Sequence, residues 1–124
     1  KKIVLIVDDD EFLLDMYALK FKEEGFMVEI AVTGKDALEK SESVQPDVIL
    51  LDVVLPEMDG FAVLQKMRSS KKDGKPLIVM LTNLSQKSDT ERGMRLGADD
   101  YIVKAHFTPS EVVEKVRKLL AKQK

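Results

Sequence analysis

Five short apolar runs punctuate the chain: Ile3 to Val7, Met27 to Val32, Val48 to Leu51, Leu77 to Leu81 and Tyr101 to Val103. Each is strand-length and rich in β-branched residues, and most lack polar alternation, the pattern of strands covered on both faces. The segments between them carry helical spacing instead. Leu13, Met16, Tyr17 and Phe21 fall three or four residues apart around one face, Phe61, Leu64 and Met67 lie three apart, and Val112, Val113, Val116, Leu119 and Leu120 form a stripe near the end. The predicted order is strand then helix, five times over. Such alternation implies a mostly parallel sheet with helices on both faces and right-handed crossovers.

Local punctuation agrees with these boundaries. Thr33-Gly34-Lys35-Asp36 has the composition of a helix start, and Thr108-Pro109-Ser110-Glu111 offers a cap, a proline for the first turn and a capping-box glutamate. Asp10 is placed to cap the first helix or to sit in its first turn. Gly25 and Gly97 suit positions just past helix C-termini. The stretch from Ser69 to Lys75 is the most loop-like, joining the third helix to the fourth strand. There is no internal repeat, low-complexity segment or linker, so residues 1–124 are expected to form one domain, a length near the usual domain size.

Composition changes this picture only by exclusion. With 44% hydrophobic and 34% charged residues the chain is too apolar for disorder. Twenty basic and 22 acidic side chains give a net charge of -2, which provides no general attraction to nucleic acid or an anionic membrane. Direct DNA binding by this domain is therefore not expected. Without cysteine there is neither a disulfide framework nor thiolate chemistry. No apolar run approaches the roughly 20 residues of a bilayer span and Lys1-Lys2 leads straight into a strand, so a cytoplasmic location is expected.

Chemistry concentrates where the strands end. In an open α/β sheet ligands bind beyond the carboxyl ends of the strands. The first strand ends at Asp8-Asp9-Asp10, the third at Asp52, the fourth at Thr82 and the fifth at Lys104. Taken singly, each has a plain structural role, as a cap, a turn residue or a surface charge. With Asp10 left to its cap, they together place three acids, a hydroxyl and an ammonium at one sheet edge. Carboxylates about 5 Å apart repel by roughly 3 kcal/mol per pair at an effective dielectric near 20, so a hard divalent cation such as Mg²⁺ is the natural counter-charge. Carboxylate, hydroxyl, ammonium and metal form a kit for phosphoryl transfer. The chain has one histidine and no cysteine, which leaves no ligand set for zinc, and it has no glycine-rich phosphate loop.

These residues resemble those of receiver domains of bacterial response regulators, over the whole chain. Ile6-Val7-Asp8-Asp9-Asp10 is similar to the family's acidic pair. Asp47 to Asp52, continuing to Leu55-Pro56-Glu57-Met58-Asp59-Gly60, is similar to its phosphorylation strand and loop. Leu81-Thr82 is similar to its switch hydroxyl, and Gly97-Ala98-Asp99-Asp100-Tyr101-Ile102-Val103-Lys104 to the stretch ending in its lysine. The resemblance implies a flavodoxin-like doubly wound sheet of five parallel strands, order 2-1-3-4-5, and a phosphoryl-accepting switch of two-component signalling. It implies that Asp52 takes a phosphoryl group from a histidine kinase, a phosphotransfer protein or a small acyl phosphate. Asp8, Asp9, Asp52 and the main-chain carbonyl of Val54 would hold Mg²⁺. Thr82 and Lys104 would bind the phosphoryl oxygens, and Tyr101 would change its exposure as Thr82 moves. An output domain or downstream protein would read the face of the fourth helix, fifth strand and fifth helix. A homodimer across that face could use Arg92, Arg95, Asp99, Asp100 and Glu111. Enzymatic activity would be limited to self-phosphorylation and slow self-dephosphorylation.

Three departures from the family pattern carry expectations of their own. Lys104-Ala105-His106-Phe107 lacks the family's proline after the lysine and is one residue longer, which could aim Lys104 differently. Asn83 stands where a small residue usually follows the hydroxyl, and could narrow access to Asp52 or bond the phosphoryl group. Val54 and Leu84, two beyond Asp52 and Thr82, cannot orient a hydrolytic water, so slow loss of the phosphoryl group is expected. His106 is expected to be a solvated loop residue. Two rival readings are a receiver-fold interaction module that no longer cycles phosphate, and a haloacid-dehalogenase-like phosphatase using Asp8 and Asp10.

Overall fold

Strands made almost wholly of Val, Ile and Leu have no polar face to turn toward water, so both faces must be covered. In the computed structural model, which describes residues 1–70 and 76–123, that is what surrounds the central strands. The elements are β1 (Ile3–Val7), α1 (Glu11–Glu23), β2 (Met27–Ala31), α2 (Gly34–Ser43), β3 (Val48–Leu51), α3 (Gly60–Ser70), β4 (Leu77–Thr82), α4 (Lys87–Arg95), β5 (Asp100–Val103), a 3-10 turn (Lys104–His106) and α5 (Pro109–Lys122). The strands pair in parallel in the order 2-1-3-4-5. Residues 71–75 of the expected loop lie outside the described residues, while Ser69 and Ser70 close α3 instead.

The period-2 geometry of a strand divides each apolar run between two cores. Val4, Ile6, Val48, Leu50, Val79, Leu81 and Ile102 face α1 and α5, where they meet Leu14, Phe21, Val112 and Val116. Leu5, Val7, Ile49, Leu51, Ile78 and Met80 face the other way, against Ala37, Phe61, Leu64 and Met67. Each such Leu, Ile or Val contributes about 1.5–3 kcal/mol by leaving water. On α1 the buried stripe runs through Leu14, Tyr17, Ala18 and Phe21, with Leu13 and Met16 on its margin, so it is centred about one residue beyond the expected line.

Strand β2 departs from expectation. It ends at Ala31, leaving Val32 exposed outside it, and Met27, Glu29 and Ile30 are exposed, Met27 by 53%. As an edge strand it pairs only with β1, and only Val28 and Ala31 reach the two cores. Its outer backbone is partly occupied: the Lys40 ammonium on α2 donates to the Ile30 carbonyl.

Capping follows the sequence closely. Asp10 accepts from the amides of Phe12 and Leu13, Thr33 from Asp36, and Thr108 forms a reciprocal capping box with Glu111. Gly25 and Gly97 adopt φ of 96° and 109°, which glycine tolerates without strain. Among the described residues no helix is long and apolar enough to cross a membrane.

Candidate functional site

Asp8 and Asp52 each stand one residue past a strand, yet the ladder still holds their backbones. The Asp8 amide donates to the Ala31 carbonyl and the Asp52 amide to the Val7 carbonyl, both at 3.1 Å. Both side chains are buried at the carboxyl edge of the sheet. The Lys104 ammonium, itself buried, donates to Asp8 Oδ2 at 2.6 Å and to Asp52 Oδ2 at 2.8 Å. The other carboxylate oxygens are also engaged. Asp8 Oδ1 accepts from the Asp10 amide at 2.9 Å, and Asp52 Oδ1 from the Val54 amide at 3.2 Å.

Asp9 completes the acidic group from an exposed position, and Asp8, Asp9 and Asp52 each present an oxygen within 4.8 Å of the others. Three acids against one lysine leave the cluster two charges short of neutrality, and each close pair of carboxylates repels by about 3 kcal/mol at an effective dielectric near 20. Burial raises the Asp8 carboxyl above the ordinary carboxylate range, opposed only in part by hydrogen bonds from Lys104 and the Asp10 amide. A raised folded pKa stabilises the fold below the unfolded value and loses that contribution as pH rises. Ionising Asp8 therefore costs the folded state stability as pH rises. Burial pulls Lys104 down, but hydrogen bonds to Asp52 and Asp8 and the charges of both outweigh it, and its pKa is raised. Hard oxygen ligands, uncompensated negative charge and a cavity of about 270 Å³ lined by Asp8, Asp9, Asp10, Asp52, Val54, Asn83 and Lys104 fit a small divalent cation.

Thr82 ends β4, fully buried, and its Oγ1 accepts from the Leu84 amide at 3.3 Å. Tyr101 on β5 donates its hydroxyl to the Leu84 carbonyl at 2.8 Å. The two residues expected to move together are thus linked through one residue, Leu84, whose side chain packs on the second core. Sequence reasoning could not single out Leu84 for this, because the contacts are made by its backbone. Tyr101 is pushed up to about 12 by burial, with the charges of Asp89 and Asp52 adding to the shift.

The departures resolve as follows. Lys104 to His106 form a 3-10 turn closed by the Phe107 amide on the Lys104 carbonyl at 3.3 Å, and from it Lys104 reaches both acids. Asn83 Oδ1 accepts from the Ala105 amide at 3.1 Å. His106 is exposed in the turn. Of the charged residues expected to pair between copies, Asp99 is held within the chain, accepting from Arg68 at 2.6 Å and the Ile78 amide at 2.8 Å. Arg92 stacks over the Phe61 ring at 4.6 Å, and Glu111 serves the α5 cap.

A doubly wound parallel sheet with acids, a hydroxyl and a lysine gathered at its carboxyl edge defines a flavodoxin-like, CheY-like architecture. Residues 4–117 match the family model described as the response regulator receiver domain. The chain is 39% identical over 119 residues to the alkaline phosphatase synthesis transcriptional regulatory protein PhoP of Bacillus subtilis, covering 96% of this chain and 48% of PhoP. It is 38% identical over 117 residues to the DNA-binding dual master transcriptional regulator RpaA of Synechocystis, covering 94% of this chain and 48% of RpaA. Among solved structures, the CheY-like receiver domain protein from Methanospirillum hungatei superposes with a TM-score of 0.91 at 34% identity, covering 98% of this chain and 95% of that one. This chain belongs to the response regulator receiver domain family, and spans about half the length of the curated relatives it matches. Membership sets aside the haloacid-dehalogenase-like alternative.

Proposed function

We propose that Asp52 is the phosphoryl acceptor of a two-component switch, and the observation that carries this reading is the pairing of Lys104 with both Asp8 and Asp52 at the sheet edge. An Asp52 carboxylate oxygen attacks phosphorus, and the bond to the donor breaks with its electron pair leaving on the imidazole of a phosphohistidine or on a small acyl group. The donor is a histidine kinase, a phosphotransfer protein or a small acyl phosphate. Asp8, Asp9, Asp52 and the Val54 carbonyl would hold Mg²⁺. When bound, Mg²⁺ supplies positive charge against the carboxylates and the phosphoryl oxygens.

Lys104 follows the new charge and trades part of its contact with Asp8 for the phosphoryl group. Thr82 donates its hydroxyl to a phosphoryl oxygen, giving up the Leu84 amide, and Tyr101 responds through the Leu84 carbonyl it already holds. A phosphoryl group carries nearly two negative charges, enough to recruit both donors. The face of α4, β5 and α5 is the output, read by a linked domain, a downstream protein or a second copy, in the cytoplasm. Relatives named as DNA-binding regulators favour an output in transcription.

Incubation with Mg²⁺ and either acetyl phosphate or beryllofluoride tests the reading. A stable adduct located at Asp52 by mass spectrometry, and lost in Asp52→Asn, supports it. A wild-type chain with no adduct would instead be an interaction module that no longer cycles phosphate.

A further inference from the structure

Lys104 has to be aimed from a segment that begins a 3-10 turn, and the first amides of such a turn have no partner inside it. The Ala105 amide is one of these. It finds its acceptor in Asn83 Oδ1 at 3.1 Å, across the sheet edge and 22 residues away in sequence. Asn83 follows Thr82 directly, and Ala105 follows Lys104 directly. The contact therefore ties together the two arms that end in the hydroxyl and the ammonium. Asn83 and Lys104 also line the same cavity as Asp8 and Asp52.

We propose that Asn83 is a positioning residue that fixes the start of the 3-10 turn through Ala105 and so holds Lys104 on Asp8 and Asp52. This rests on the reading of Asp52 as the phosphoryl site for its consequence, though not for its geometry. An asparagine carboxamide supplies the Ala105 amide with an acceptor inside the protein without adding charge to an already acidic cavity. Aspartate at 83 would add a fifth carboxylate to the four that already line it. The Asn83 carboxamide oxygen is turned to the neighbouring loop while the residue still lines the cavity beside Asp52.

The test uses Asn83→Leu, close in size but with no acceptor, and Asn83→Ala as a second variant of this exposed position. Two readouts do not depend on phosphorylation: hydrogen exchange of the Ala105 amide, and proton exchange of the Lys104 ammonium, both by NMR. Both should quicken about two- to tenfold in each variant, the range for one neutral hydrogen bond. Beryllofluoride binding should weaken by a similar factor. In a Lys104→Ala background, Asn83→Leu should have no further effect on that binding, because a residue acting through Lys104 cannot act without it. Unchanged exchange at Ala105 or Lys104 overturns the proposal, and so does an equal loss of binding with and without Lys104. Failure of the wild type to bind beryllofluoride sinks the phosphorylation reading alone, while the two exchange measurements still decide the role of Asn83.

Discussion

Tyr101 shows how far one side chain can be committed before any signal arrives. Its hydroxyl is bonded to the Leu84 carbonyl, and burial with nearby acids pushes its pKa up to about 12. The folded protein keeps that proton where the unfolded chain, with tyrosine near 10, has lost it. The resulting stability is full below about pH 10 and is lost as pH rises through about 12. Phenolate absorbance in a Tyr17→Phe background should therefore show a midpoint near 12. The urea midpoint should fall less between about pH 9 and 11.5 in Tyr101→Phe than in wild type. A phenolate midpoint near 10 would contradict this account. Val54 makes the opposite contribution, through what it lacks. It is 58% exposed at the mouth of the acidic cavity and has no polar atom to orient water. Val54→Gln should shorten the acyl-phosphate lifetime severalfold, short of the roughly hundredfold a positioned general base supplies. Loss of label from Asp52 measures it, and a wild-type lifetime of seconds would remove the premise.

At the scale of elements, the site depends on how closely α3 starts beside the end of β3. Gly60 opens α3 with its amide on the Val53 carbonyl at 2.8 Å. A Cβ there would clash with the Asp52 carbonyl oxygen and lie 2.7 Å from Val53 Cα. Gly60→Ala must move backbone rather than a flexible side chain, and should cost about 3 kcal/mol in urea unfolding. Most elements could be read from the sequence because their determinants are local: Thr108 with Glu111, Thr33, Asp10, and the glycines that close α1 and α4. Strand β2 misled the reading because an apolar run says nothing about its place in the sheet, and edge position overrode composition. The acids, Thr82 and Lys104 could be placed from strand order alone. The bond from the Ala105 amide to Asn83 and that from the Tyr101 hydroxyl to the Leu84 carbonyl could not, since each joins segments distant in sequence and uses backbone on one side.

The whole molecule carries an electrostatic load that its fold alone does not relieve, since Lys104 offsets one of three clustered acids. A cation that binds only the folded state should stabilise it, by about 2.7 kcal/mol at a hundred times its dissociation constant. Added Mg²⁺ is expected to raise the melting temperature of the wild type by several degrees. Asp9→Ala, at an exposed position, should melt within about 2 °C of wild type without metal and lose that rise. A variant that responded to Mg²⁺ like the wild type would remove Asp9 from the ligand set.

The outer rim of β2 has a consequence for solubility. Alternate carbonyls of this strand point away from β1, so Ile30 would offer an open acceptor to any passing extended chain, flanked by the exposed Met27 and Ile30 side chains. Lys40 stops up that acceptor with a charged group that a foreign strand would have to displace. Lys40→Met should leave phosphorylation intact but turn the rim into a template for sheet growth. Light scattering during prolonged incubation at high concentration would then rise faster than in the wild type, and an unchanged time course would show that the rim is guarded by something other than Lys40.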